Sequence, residues 1–153
     1  MIQYTLSVIF DHTMSHVLMC YHNKANIANF VGGKIENGED PLDASYRELF
    51  EETGISRDDI ELIIFRRERV EFVDSADVLS PTYPDWDMYI SVGKLNKPTS
   101  QINLIEEINP LYWIPITKKH TIETAGIAGS CYTYLRQGLE VLRNHGYERV
   151  PNV

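Results

Sequence analysis

Two hydrophobic periods divide the chain. Residues 2–10 (IQYTLSVIF) are dense in β-branched and aromatic side chains and predict a strand. Residues 16–22 (HVLMCYH) predict a second, and the turn-like stretch from Asp11 to Ser15 makes the two a hairpin. Residues 23–33 (NKANIANFVGG) hold no period, end in two glycines and read as irregular. From residue 41 the period becomes helical, with Leu42, Tyr46, Leu49 and Thr53 recurring and Phe50 beside them. Asp40 suits the N-cap, Pro41 the first helical position, Asp43 the capping-box partner and Gly54 the residue after the end. The helix is predicted over 41–53.

Strand composition returns over 60–73, a stretch long enough to carry a bulge. A loop with Pro81 and Pro84 follows over 74–85, then a strand over 86–95, a turn over 96–100 and a short strand with an edge proline over 111–116. Ile127, Cys131, Leu135, Leu139 and Leu142 predict a C-terminal helix ending near Gly146, with Gly126 and Gly129 weakening its start. No repeat or linker interrupts this order. Strands, helix, strands and helix predict an α+β chain: an α/β/α sandwich with a mixed β-sheet, one domain over 1–153.

Composition narrows the partners. With 43% hydrophobic and 24% charged residues the chain is globular, and 153 residues close one core. A net charge of -8 opposes general binding to nucleic acid or anionic membrane, while leaving small phosphorylated ligands open through a bound cation. Cys20 and Cys131 are too few and too far apart for a disulfide framework or zinc site. The opening residues lack the features of a secretion signal, and no apolar run approaches the roughly 20 residues of a membrane span. A cytoplasmic protein is expected.

The negative charge is concentrated. Residues 33–55 hold seven acids and two bases, five of the eight net charges. On the predicted helix, Glu48, Glu51 and Glu52 lie at i, i+3 and i+4, on one face opposite the apolar one. Three such carboxylates repel one another unless positive charge sits among them. Oxygen ligands of this kind suit Mg²⁺ or Mn²⁺. A solvated acidic face is the plain alternative.

The stretch Gly33-Lys34-Ile35-Glu36-Asn37-Gly38-Glu39, followed by Arg47-Glu48-Leu49-Phe50-Glu51-Glu52-Thr53-Gly54-Ile55, resembles the Nudix box of the MutT/Nudix hydrolases, with every fixed position and both spacers filled. The resemblance implies a Nudix fold and a Mg²⁺- or Mn²⁺-dependent pyrophosphohydrolase acting on a small-molecule nucleotide. It implies that Glu51 and Glu52 are metal ligands, that Glu48 is a further ligand or the base, and that the Gly32 carbonyl is a backbone ligand. Arg47 and Glu39 resemble the pair whose salt bridge orients the glutamates. Gly33 and Gly54 read as sources of backbone freedom on entering the loop and leaving the helix. Metal lowers the pKa of water, a carboxylate takes its proton, and water attacks phosphorus.

The substrate class the resemblance favours is a nucleoside triphosphate, with an oxidised purine such as 8-oxo-dGTP as one member. Nucleotide sugars, dinucleoside polyphosphates, capped RNA and a non-catalytic sensing module are the alternatives. Asn29 and Lys34, in Asn29-Phe30-Val31-Gly32-Gly33-Lys34, are the candidate substrate contacts, Asn29 as a reader of a purine edge or as a turn asparagine. Phe30 reads as core. Glu106 and Glu107 stand before Trp113-Ile114-Pro115, and Glu107 is the preferred extra acid, with an exposed loop pair as the alternative. Tyr83, Trp86 and Tyr89 are ring candidates for a base, and Arg66, Arg67 and Arg69 for phosphates. The assembly state stays open, a homodimer included.

Overall fold

The computed structural model describes residues 2–22, 27–70, 86–105, 109–126 and 129–153. Seven strands are formed among them: β1 (Ile2–Phe10), β2 (His16–His22), β3 (Ile27–Asn29), β4 (Val31–Lys34), β5 (Ile63–Val70), β6 (Trp86–Lys94) and β7 (Leu111–Pro115). The helices are α1 (Pro41–Thr53), α2 (Lys119–Glu123) and α3 (Cys131–Asn144). The expected boundaries of β1, β2 and α1 are met. The strand expected over 60–73 is shorter in its described part, and carries its irregularity between Ile64 and Arg66.

The sheet is mixed. β1 runs parallel to β6 from Ile2↔Trp86 to Phe10↔Lys94, and β5 closes that side antiparallel to β6. The other edge of β1 is shared. Tyr4 to Ser7 pair with β4, from Tyr4↔Lys34 to Ser7↔Val31, while Phe10 pairs with Val17 of β2. The expected β1–β2 hairpin therefore holds at its turn and then opens. β2 leaves to pair with β7 and β3.

β3 and β4 correct the irregular reading of residues 23–33. Nothing in IANFVGGK alternates strongly, and the pairing comes from outside the segment. Gly32 lies so close to β1 that a Cβ there would stand 2.1 Å from the Thr5 carbonyl oxygen. Glycine is set by this approach, not by strand propensity.

Helix α1 ends as its residues dictate. The Asp40 carboxylate accepts from the Leu42 and Asp43 amides, at 2.9 and 3.4 Å, and Gly54 takes φ 82° while its N–H bonds the Phe50 carbonyl. Asp43 departs from the capping-box expectation by turning its carboxylate to Arg57. The C-terminal helix starts at Cys131, after Gly126 and Gly129 at φ 79° and 63°; Ile127 lies outside the described residues. The short α2 was not visible as a period. Five residues are too few for one, and buried Ile122 anchors it.

The two long helices cover opposite faces. Leu6, Val8 and Phe10 of β1 join Val17, Met19, Ile90 and Val92 against Leu135, Leu139 and Leu142 of α3. Ile9, Leu18, Cys20 and Val31 pack with Leu49 of α1. Phe30 is buried in the α3-side core, as expected. Side chains alternating along each strand thus feed two cores, and the α/β/α sandwich is the result.

Candidate active site

One arginine assembles the acids around α1. Arg47 donates from Nε and Nη2 to both oxygens of Glu39, at 2.8 and 2.9 Å. Its Nη1 lies between two further carboxylates, 2.9 Å from Glu48 and 3.1 Å from Glu51. Nη2 also reaches the Lys34 carbonyl at 3.0 Å, which ties the helix to the end of β4. The planar five-donor guanidinium is suited to such a fork; an ammonium would supply one point of charge. The charge the acidic helix needs is thus supplied within the chain.

The carboxylates differ in setting. Glu51 is 56% exposed at its side chain and Glu48 14%. Burial pushes the Glu48 carboxyl above its usual range, an effect the Arg47 guanidinium opposes without cancelling. Glu39 is held below its usual range by Arg47. Glu52 is the most perturbed. Burial, then the charge of Glu48, push it up to about 7, partly offset by a backbone hydrogen bond from Gly32. Its Oε2 is buried and, among the described residues, has no hydrogen-bond partner. A carboxylate oxygen left so is a site that favours either a proton or a cation.

Gly33 makes room for Glu48. A Cβ there would stand 2.3 Å from the Glu48 carboxyl carbon and 2.4 and 2.6 Å from its oxygens. This corrects the expectation that Gly33 serves backbone freedom, since it is not among the residues of positive φ. Gly54 does serve that role, at φ 82°. Gly32 stands under Glu52 and close against Thr5.

An open groove of about 750 Å³ runs past these groups, lined by Gln3, Lys34, Glu36, Arg47, Glu48 and Glu51. Lys34 is exposed where it lines the groove. Asn29 is placed elsewhere. Its Oδ1 accepts from the Phe30 amide at 2.8 Å and the Cys131 thiol at 3.5 Å, beside the start of α3. Glu106, Glu107 and Tyr83 lie outside the described residues. Arg66 bonds Gln137 and Glu68, Arg67 bonds Asp87, and Trp86 packs at 4.6 Å on Tyr4.

The oxygen-only donors fit a hard divalent cation. Among the described residues no three acidic, histidine or cysteine side chains close around one point, and Arg47 Nη1 stands between Glu48 and Glu51. The orphaned Glu52 oxygen is the position where a cation would relieve a cost already present.

The NUDIX domain family model matches residues 2–124. An RNA pyrophosphohydrolase of Francisella tularensis subsp. mediasiatica is 34% identical over 103 residues, covering 57% of this chain and 63% of that protein, so the match spans less than two thirds of the relative. The E. coli dihydroneopterin triphosphate pyrophosphohydrolase superposes with a TM-score of 0.70 at 18% identity, over 88% of this chain and 92% of that one. A C. elegans Ap4A hydrolase in a binary complex gives 0.69 at 18% identity, over 94% and 99%. At such identities the structures speak for the fold. Among the described residues no helix is long and apolar enough to cross a membrane.

Proposed function

The chain belongs to the NUDIX domain family, and from that premise we propose that it is a pyrophosphohydrolase dependent on Mg²⁺ or Mn²⁺, acting in the cytoplasm on a nucleoside diphosphate linked to a further group. The observation that carries this reading is the Arg47-centred set of carboxylates with the orphaned oxygen of Glu52 beside it. Glu48, Glu51, Glu52 and the Gly32 carbonyl are the residues to hold the cation. A divalent cation there supplies charge against the diphosphate oxygens and lowers the pKa of water.

The rest falls to the chain's own side chains. Arg47 gathers Glu39, Glu48 and Glu51 beside one another, which reduces the ordering that the reaction demands. Glu48 or Glu52, both raised by burial, is the carboxylate to take a proton from the attacking water. Lys34 meets a phosphate at the groove rim. Asn29 is the candidate to read a base edge through its side-chain amide.

The preferred substrate is a nucleoside triphosphate, with oxidised purines as the candidate members. A 5′-triphosphorylated RNA end is the second reading, favoured by the 34% identity to a protein named as an RNA pyrophosphohydrolase. The charge of -8 favours recognition of the end over the length of such an RNA. The test is release of phosphate or pyrophosphate from oxidised and ordinary purine triphosphates, a 5′-triphosphorylated oligonucleotide, ADP-ribose and a diadenosine polyphosphate, with and without chelator. Chelator should abolish turnover, and triphosphates should give the highest kcat/KM. A preference for ADP-ribose or the diadenosine compound overturns the triphosphate reading. Turnover unaffected by chelator overturns the metal.

A further inference from the structure

Between α1 and the sheet lies a layer of small buried hydroxyls. Ser7 and Ser91 bond each other at 2.8 Å, and Ser45 donates to the Pro41 carbonyl at 2.8 Å. Thr5, 2% exposed, lies in the same layer, yet among the described residues its Oγ1 has no partner. Thr5 sits directly opposite Gly33 in the β1–β4 pairing. Opposed residues of an antiparallel pair share a face, with Cβ positions about 5 Å apart. The Cβ position of Gly33 is the place the Glu48 carboxyl fills. Arg47 takes Oε1 of Glu48, which leaves Oε2 for another donor.

Valine would suit this position of the strand better than threonine. It has the same shape and the same β-branch, with no polar atom to bury. A hydroxyl kept without a partner, one residue-width from a working carboxylate, is explained by that carboxylate. We propose that Thr5 is a positioning residue for the hydrolysis: its hydroxyl, unpartnered among the described residues of the resting structure, is the donor toward which the Glu48 carboxylate turns when it works, and it sets that orientation. The inference rests on the hydrolase reading of the same site.

Thr5→Val and Thr5→Ser in the full chain test it. Thr5→Val should melt at or above the native temperature, because it removes an unpaired buried hydroxyl. It should lower kcat roughly tenfold, as loss of a partner to a ligating side chain does, with KM within about twofold. Thr5→Ser, which keeps the hydroxyl, should restore most of kcat. Native kcat in Thr5→Val overturns the proposal, as does a fall in melting temperature that accompanies the loss, or a serine variant as damaged as the valine one. The methyl resonance of Thr5, identified by its loss in Thr5→Val, supplies a readout apart from turnover: it should shift in Glu48→Gln. An unmoved resonance overturns the proposal even if no substrate of the panel is cleaved, while an inactive native enzyme counts against the hydrolase reading alone.

Discussion

β1 shows two chemistries on its two sides. Toward α3 it presents Leu6, Val8 and Phe10, which meet Ile90, Val92, Leu135 and Leu139 in an apolar core. Toward α1 its first half presents Thr5 and Ser7, which meet Gly33, Ser91 and the region of the Glu48 carboxyl. Polar groups return to apolar ones at Ile9, where Leu18, Val31 and Leu49 close the second core. One face is built to be stable. The other gives up part of its packing to hold three carboxylates, an orphaned oxygen and an open groove. Proteins keep such costs where function requires them.

The comparison predicts that damage to the two faces separates activity from stability. The largest effect is expected from Glu52→Gln, which should lower kcat roughly 10²–10⁴-fold with the melting temperature kept or raised. Leu135→Ala, on the opposite face, should cost about 2–5 kcal/mol of stability in urea unfolding, with kcat per folded molecule unchanged. If Glu52→Gln unfolds the protein, or Leu135→Ala stops turnover in folded protein, the division between the faces fails.

Gly33→Ala comes next. The added methyl meets the Glu48 carboxyl and must displace it, which should lower kcat on the order of 10²-fold. A circular dichroism spectrum and melting curve close to native would locate that loss in the geometry of Glu48.

The smallest expected effect is on the pH dependence of the metal-free protein. A carboxyl raised from 4.5 to about 7 is stabilised by folding in its protonated form. Its contribution is complete below about pH 4.5 and is lost as the pH rises through about 7, at most on the order of 3 kcal/mol. Glu48, also raised, acts in the same sense; Glu39, lowered by Arg47, acts oppositely at lower pH. Urea unfolding between pH 4.5 and 8 should show the decline in the native chain and a flatter curve in Glu52→Gln. Equal slopes would remove Glu52 as its source.

Several features were legible from local pattern alone because local chemistry decides them. α1 could be placed at 41–53 from Asp40, Pro41 and Gly54, whose capping and φ preferences act within a turn of the helix. The spacing of Glu48, Glu51 and Glu52 put the acids on one face, and the match of residues 33–55 to a known box pointed to Arg47 and Glu39. The β-branched and aromatic residues over 2–10 announced β1, and the turn-like stretch from Asp11 to Ser15 announced β2 as its hairpin partner. The start of the C-terminal helix, left open because Gly126 and Gly129 weaken the pattern, falls at Cys131, after two glycines of positive φ.

What the tertiary structure decided has a common physical cause, contact between residues distant in the chain. β3 and β4 are strands because β2 and β1 offer them hydrogen bonds, and nothing within IANFVGGK reports that. Gly33 is required by a side chain fifteen positions later, and Gly32 by a carbonyl on another strand, so their role as space rather than as hinge appears when α1 is laid on the sheet. The same placement buries Glu52 and pushes its carboxyl upward, while Glu51, one residue earlier, stays in solvent. It also sets Thr5 opposite Gly33 with no partner for its hydroxyl among the described residues. The sequence by itself determined which residues carry charge and which local segments form. Burial and cross-strand register, set by packing alone, determined which of those charges are costly to hold and therefore ready to react.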